Sequence, residues 1–160
     1  MEGKKSQPRV LLVFGAPCSG KTTFCEKFAS RFGLTFFDLD SLRSDNNLSR
    51  KTLLIILEQI AKTGQTILLE GELKTEKERE EIRRLFKNAG YLTSTIWIQT
   101  DLATIRSRLK SRHKTIKAAK KIYDTVIPNL EAPSDLEHPI ILSGKHTFET
   151  QVKHVLAGLA

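Results

Sequence analysis

Residues Gly15-Ala16-Pro17-Cys18-Ser19-Gly20-Lys21-Thr22 spell G-x-x-x-x-G-K-[ST], and their flanks constrain the fold more than any other stretch. The wholly apolar run Val10-Leu11-Leu12-Val13-Phe14 precedes the motif and has the length of a buried strand. A helical pattern follows from Thr22 to about Phe32. Glycines at both ends of the loop let the backbone curl and aim its N–H groups inward, and the helix adds its positive N-terminal end. Strand, loop and helix in this register predict a nest for the phosphates of a nucleoside triphosphate, read as ATP. Gly15 to Gly20 would line it with Lys21, Thr22 and Thr23. Lys21 is expected to reach the β- and γ-phosphates, and Thr22 to offer its hydroxyl to Mg²⁺.

Strand and helix signals then alternate to the end of the chain. Leu34–Asp38 reads as a second strand after Gly33, a natural helix C-cap. The polar stretch Ser41–Asn47 reads as loop or a short turn, and Ser49–Lys62 as an amphipathic helix closing at Gly64. Thr66–Glu70 is a third strand. Thr75-Glu76-Lys77-Glu78 has capping-box spacing and opens a helix to Asn88. Thr93–Gln99 is a fourth strand, Asp101 caps a helix to about Arg112, and Ala118–Val126 is a further helix before Pro128. Leu130–His138, with Pro133 and three acids, reads as loop, Pro139–Leu142 as a fifth strand, and Thr147–Leu159 as a closing helix. Repeated β-α units predict a three-layer α/β/α sandwich around a five-stranded parallel sheet with right-handed crossovers. Ligands of such sheets sit beyond the carboxyl ends of the strands.

Residues 9–160 are thus expected to form one domain with a short basic lid around 106–121, preceded by a loose tail over residues 1–8. The longest apolar run, Leu53–Leu57, is too short to span a bilayer, and no secretory leader is read at the start. Cys18 and Cys25 lie on the loop and the helix that follows it, where a bridge is sterically implausible. Two free thiols and a cytoplasmic location are expected. With 26 Lys+Arg against 18 Asp+Glu, the net charge of +8 fits a polyanionic partner: nucleotide, phosphorylated substrate or nucleic acid. Much of the excess lies between Arg106 and Lys121, a run with no aromatic residue to stack a base.

Phosphoryl transfer also requires a metal-holding oxygen, cations for the spreading charge and a group that positions the nucleophile. Asp38 and Asp40 leave the second strand two apart. On extended chain they would face one cavity, where a carboxylate can orient or deprotonate an acceptor hydroxyl. A helix N-cap is the competing role for either acid. Arg43, three residues after Asp40, can bind an anionic group of the acceptor. Glu70 ends the third strand, where an acid can hold the metal shell, with Glu72 as the alternative. Arg108 and Arg112, four apart, share a helix face and can clamp the transferring group, whereas Arg106 points elsewhere. The four histidines show no metal-ligand spacing, and no N-K-x-D guanine-reading motif occurs.

The set Gly15–Thr22, Asp38-Leu39-Asp40-Ser41-Leu42-Arg43, Leu69-Glu70-Gly71 and Arg108-Leu109-Lys110-Ser111-Arg112 resembles the P-loop kinase superfamily. Within it, the set looks most like the small-kinase group of polynucleotide 5′-hydroxyl kinases, zeta-toxin-like kinases and AAA-type ATP-binding proteins. The resemblance implies a nucleoside-kinase-like fold and an ATP- and Mg²⁺-dependent kinase. Its acceptor would be a hydroxyl of a small metabolite, a nucleoside-type compound or a polynucleotide 5′ end. It implies Asp40 as the residue that activates the acceptor and Arg43 as the one that contacts it; Asp38, read from strand alternation, is expected to join Arg43 in binding the acceptor. Arg112 becomes the lid arginine at the transition state, Arg108 lies near ATP, and the stretch Ser143-Gly144-Lys145-His146 lies near adenine. Glu70 stands where the group carries Asp, and the lid is short. An ATP-binding switch associated with nucleic acid is therefore the alternative function.

Overall fold

A computed structural model describes residues 6–113 and 115–160. The first five residues of the expected tail and Lys114 of the basic run lie outside the described residues. The elements are β1 (Arg9–Phe14), α1 (Lys21–Phe32), β2 (Thr35–Asp38), α2 (Leu39–Asp45), α3 (Arg50–Ala61), β3 (Ile67–Glu70) and α4 (Glu76–Asn88). They continue with β4 (Leu92–Gln99), α5 (Leu102–Arg112), α6 (Ile116–Val126), β5 (Ile140–Ser143) and α7 (Phe148–Leu159). All strand pairs are parallel, in the order β2-β3-β1-β4-β5.

Strand β1 is apolar throughout because both of its faces are covered. Val10, Leu12 and Phe14 join Ile67 and Leu69 in one core beneath helices α2, α3 and α4. Leu11 and Val13 join Leu68, Ile96 and Ile98 in the other, against α1 and α7. A smaller cluster of Ile105, Leu109 and Ala119 ties α5 to α6 and reaches Ala16 and Cys18 of the glycine-rich loop. This last cluster seats the basic segment over the loop.

The register sets the site. Glu70 pairs with Val13 on one side and Asp38 on the other, so the carboxyl ends of β1, β3 and β2 are level. Gly33 caps α1 in the left-handed conformation, and Thr75 with Glu78 closes a reciprocal capping box on α4, both as expected.

Three local expectations change. Ser41–Asn47 is largely helical: α2 begins at Leu39, because Asp38 caps it and Leu39 and Leu42 bury against the core. Its polar outer face carries no core signal, which is why the stretch reads as loop. Helix α6 starts two residues early, at Ile116, where the Thr115 side chain accepts from the Ala118 amide. The segment after Leu130 contains a 3₁₀ turn, Asp135–Glu137, held by a buried ion pair.

Candidate active site

Loop Gly15–Gly20 turns back on itself, with the Ser19 amide donating to the Ala16 carbonyl at 3.1 Å. Helix α1 then starts from Gly20 with no side-chain cap and no acid in its first turn. Its first amides have no intrahelical acceptor, the arrangement that receives an anion. Lys21 Nζ donates to the Ala16 carbonyl at 2.9 Å. Burial lowers the lysine's affinity for its proton, and the carboxylates of Glu70 and Asp40 oppose that effect.

Thr22 Oγ1 donates to Glu70 Oε1 at 2.8 Å. Glu70 is 6% exposed, and its Oε2 has no hydrogen-bond partner among the described residues. Burial pushes the Glu70 carboxyl up, against the Thr22 hydrogen bond and the charge of Lys21. A buried carboxylate oxygen without a partner, beside a hydroxyl and a phosphate nest, suits Mg²⁺. That cation takes one or two protein oxygens and completes its octahedron with phosphates and water. Among the described residues no cluster of three or more His, Cys, Asp or Glu forms a closed metal cage.

Glu72 does not share this position. The chain turns sharply after β3, with Gly71 at φ 86° and Glu72 at φ 54°. A side chain at Gly71 would strike Asp40, whose Cγ lies 2.7 Å from where its Cβ would stand. The Glu72 carboxylate meets Arg43 Nη1 at 2.8 and 3.0 Å and Arg50 Nη1 at 3.1 Å.

The alternation expected of Asp38 and Asp40 is corrected by the helix that starts between them. Asp38 is the N-cap of α2: it accepts from the Ser41 amide at 3.1 Å and from the Ser41 hydroxyl at 2.6 Å. Asp40 lies in the first helical turn, and its Oδ1 accepts from the Glu72 amide at 3.0 Å. Both acids still act electrostatically on Glu70, and Asp40 also on Lys21, so the fold gathers them at one end of the sheet.

A cavity of about 710 Å³ opens over the loop and α1, lined by Pro17, Lys21, Glu70, Arg108, Arg112 and His146 among others. Arg108 and Arg112 both reach it, as their spacing predicts. Arg106 turns away and lies over the Tyr123 ring at 4.3 Å. Arg108 is also structural: Nη1 donates to the Cys18 carbonyl at 3.0 Å and Nη2 to the Gly144 carbonyl at 3.4 Å. Gly144 itself packs so closely on Ser19 and Thr100 that a Cβ would overlap both. Cys18 and Cys25 are free thiols. Burial raises the Cys25 thiol well above its ordinary value.

Sequence reasoning missed Lys27, Ser107 and Gln151, which also line the cavity. Lys27 carried one usable signal, its position one helical turn beyond Thr23. It also missed Arg79, fully buried, whose guanidinium pairs bidentately with Glu137 at 2.8 and 2.9 Å. That guanidinium lies over the ring of Phe14, the residue before the loop, at 4.3 Å. It also donates to the Leu73 and Glu131 carbonyls at 3.1 Å. Burial pushes the Glu137 carboxyl up, but hydrogen bonds and charge from Arg79 outweigh it and hold the group below its ordinary value.

A glycine-rich loop between β1 and α1 of a parallel sheet, a lysine at the helix start and a buried acid on the adjacent strand define a P-loop protein of nucleoside-kinase-like architecture. The chain belongs to the AAA domain family, which matches residues 10–133. It is 25% identical over 164 residues to human adenylate kinase isoenzyme 1, spanning 88% of this chain and 83% of that protein. The fold resembles a gluconokinase from Sinorhizobium meliloti 1021, with a TM-score of 0.72 at 18% identity, covering 96% of this chain and 92% of that one. It also resembles the Mycobacterium tuberculosis APS kinase CysC, solved with AMPPNP and APS, with a TM-score of 0.69 at 17% identity. That likeness covers 96% of this chain and 98% of the other. The expected AAA-type resemblance is therefore met. No helix among the described residues is long and apolar enough to cross a membrane.

Proposed function

We propose that the protein is an ATP- and Mg²⁺-dependent kinase that phosphorylates a hydroxyl group of a small molecule. The observation that carries this reading is the placement of Asp40. Its carboxylate is fixed by the Glu72 amide in the turn after β3 and acts on Lys21, the lysine of the phosphate nest. Relatives and neighbours that are kinases by name support phosphoryl transfer, without distinguishing a hydroxyl from a phosphate acceptor.

In this reading the loop amides, Lys21 and Thr23 hold the triphosphate, and Thr22 with Glu70 holds Mg²⁺. Bound Mg²⁺ would neutralise charge on the phosphate oxygens. Asp40 accepts the proton of the acceptor hydroxyl, whose oxygen forms the new bond to the γ-phosphorus while the bond to the ADP oxygen breaks. Lys21 and Arg112 stabilise the charge on the transferring group, and Arg108 holds the lid helix on the loop.

A small acceptor is favoured over a polynucleotide end. The basic run from Arg106 contains no Phe, Tyr or Trp on which bases could stack, and the neighbouring ring of Tyr123 already has Arg106 over it. The test is incubation with γ-labelled ATP and a panel of small alcohols, nucleosides and 5′-hydroxyl oligonucleotides. Label in a small acceptor supports the reading. Label in oligonucleotides alone, or slow phosphate release with no acceptor labelled, would replace it with a polynucleotide kinase or a nucleotide switch.

A further inference from the structure

We infer that Glu72 is an internal anion that fills the arginine pair on the acceptor side, so that the acceptor is an alcohol bearing no phosphate, sulfate or carboxylate group. The choice of acceptor class rests on the kinase reading above; the filling of the arginine pair does not.

Arg43 from α2 and Arg50 from α3 converge on one point beside Asp40. Two guanidinium groups so placed form an anion clamp. Here the clamp is occupied from within. The Glu72 side chain is 9% exposed and receives Arg43 through both carboxylate oxygens and Arg50 through one. Most of the remaining donors are committed as well, Arg43 Nη2 alone making no hydrogen bond among the described residues. Arg43 Nε donates to the Leu48 carbonyl at 3.1 Å, and Arg50 Nη2 to the Glu78 carbonyl at 3.3 Å. Arg50 Nε pairs with Glu81 at 2.8 Å, and Glu78 lies 3.9 Å from Arg50.

Local charge points the same way. Glu72, Glu78 and Glu81 face the two arginines, so carboxylates outnumber guanidinium groups at the clamp although the whole chain carries +8. An incoming phosphate would have to displace a carboxylate tethered in place, a competitor of high effective concentration.

The backbone supports a dedicated role. Glu72 sits at φ 54°, a left-handed conformation that side-chain-bearing residues rarely adopt, directly after Gly71 in the same region. That turn delivers two things at once. The Glu72 amide anchors Asp40, and the Glu72 side chain quenches the arginines. Expelling the carboxylate to admit an anion would therefore disturb the residue assigned to the acceptor hydroxyl.

The probe is inorganic phosphate, titrated by calorimetry into protein whose loop is saturated with Mg²⁺ and a non-hydrolysable ATP analogue. Wild-type protein should give no saturable heat. Glu72→Gln, which keeps the shape of the side chain, should bind phosphate at least about tenfold more tightly. Adding Arg43→Gln should abolish that gain. Phosphate binding by the wild type as tight as by Glu72→Gln overturns the inference. A second readout needs no variant. Wild-type protein should phosphorylate uncharged or amino alcohols in preference to their phosphorylated or carboxylated counterparts, and the opposite preference overturns the inference. If no acceptor is phosphorylated but the phosphate titrations behave as stated, the kinase reading fails while the filled clamp stands.

Discussion

The hydroxyl of Thr22 donates to the carboxylate of Glu70 across 48 residues of chain, at 2.8 Å. The bond joins the first turn of α1 to the last residue of β3 and leaves the second Glu70 oxygen buried without a partner. This carboxylate is costly to the empty protein.

The cost is visible in pH dependence. Burial raises the folded-state pKa of Glu70 above its ordinary 4.5. The group therefore stabilises the fold most below that ordinary value, and this contribution is lost as pH rises through the raised one. Glu70→Gln, which carries no charge, should melt at a higher temperature than wild type at neutral pH, and the gap should narrow on acidification. Thermal melts of nucleotide-free protein across that range test it; a gap independent of pH would refute it. The same variant should lose most of its Mg²⁺-dependent phosphoryl transfer.

Lys21→Ala removes both the cation of the phosphate nest and its hydrogen bond to Ala16. Loss of a preorganised charge at the transferring group costs about 10²–10³-fold in rate. Turnover should fall by at least that much, with Mg·ATP affinity falling strongly in calorimetry. Near-normal affinity would remove Lys21 from the nucleotide site.

Asp40→Asn retains an oxygen that can accept the Glu72 amide, so the turn after β3 should survive. A positioned general base contributes about 10²–10⁴-fold. Transfer should therefore drop by about 10²-fold or more while ATP affinity stays near wild type. Unchanged turnover would show that Asp40 has no part in the chemistry.

Arg79 and Glu137 are a buried pair with side chains 0% and 2% exposed. Removing one partner strands the other charge, which costs about 3–5 kcal/mol. Glu137→Ala should lower denaturant-measured stability by that amount. Replacing both residues with apolar ones of similar volume should recover only part of it, because the Leu73 and Glu131 carbonyls would lose the Arg79 donor.

Gly71→Ala faces two penalties at one atom. The residue sits at φ 86°, and the new Cβ would lie 2.7 Å from the Asp40 carboxyl carbon. Phosphoryl transfer should fall as in Asp40→Asn, now with loss of stability in melts. Full activity would show that the turn after β3 can relax without moving Asp40.

How much of this could be read from the chain follows from the range over which each interaction acts. The loop Gly15–Thr22, the alternation of strands and helices and the capping box at Thr75 are local patterns, each written within a few residues. Local geometry is enough to specify them. They fixed a five-stranded parallel sheet with a phosphate nest at its carboxyl edge. The helix at Leu39–Asp45 escaped because its short apolar signal, Leu39 and Leu42, is outweighed by polar neighbours until the core covers it.

The pairings decided in three dimensions have no such local trace. Arg43 meets Glu72 29 positions away, and Arg79 meets Glu137 58 positions away. In the sequence, Glu70 and Glu72 are equivalent acids at a strand end. They are separated by the left-handed turn at Gly71 and Glu72, which sends one carboxylate to Thr22 and the other to the arginines. A charge in a sequence has a sign but no partner. Only when the sheet brings distant strand ends level, and burial removes the water that would otherwise screen every pair alike, does each charge acquire a specific neighbour.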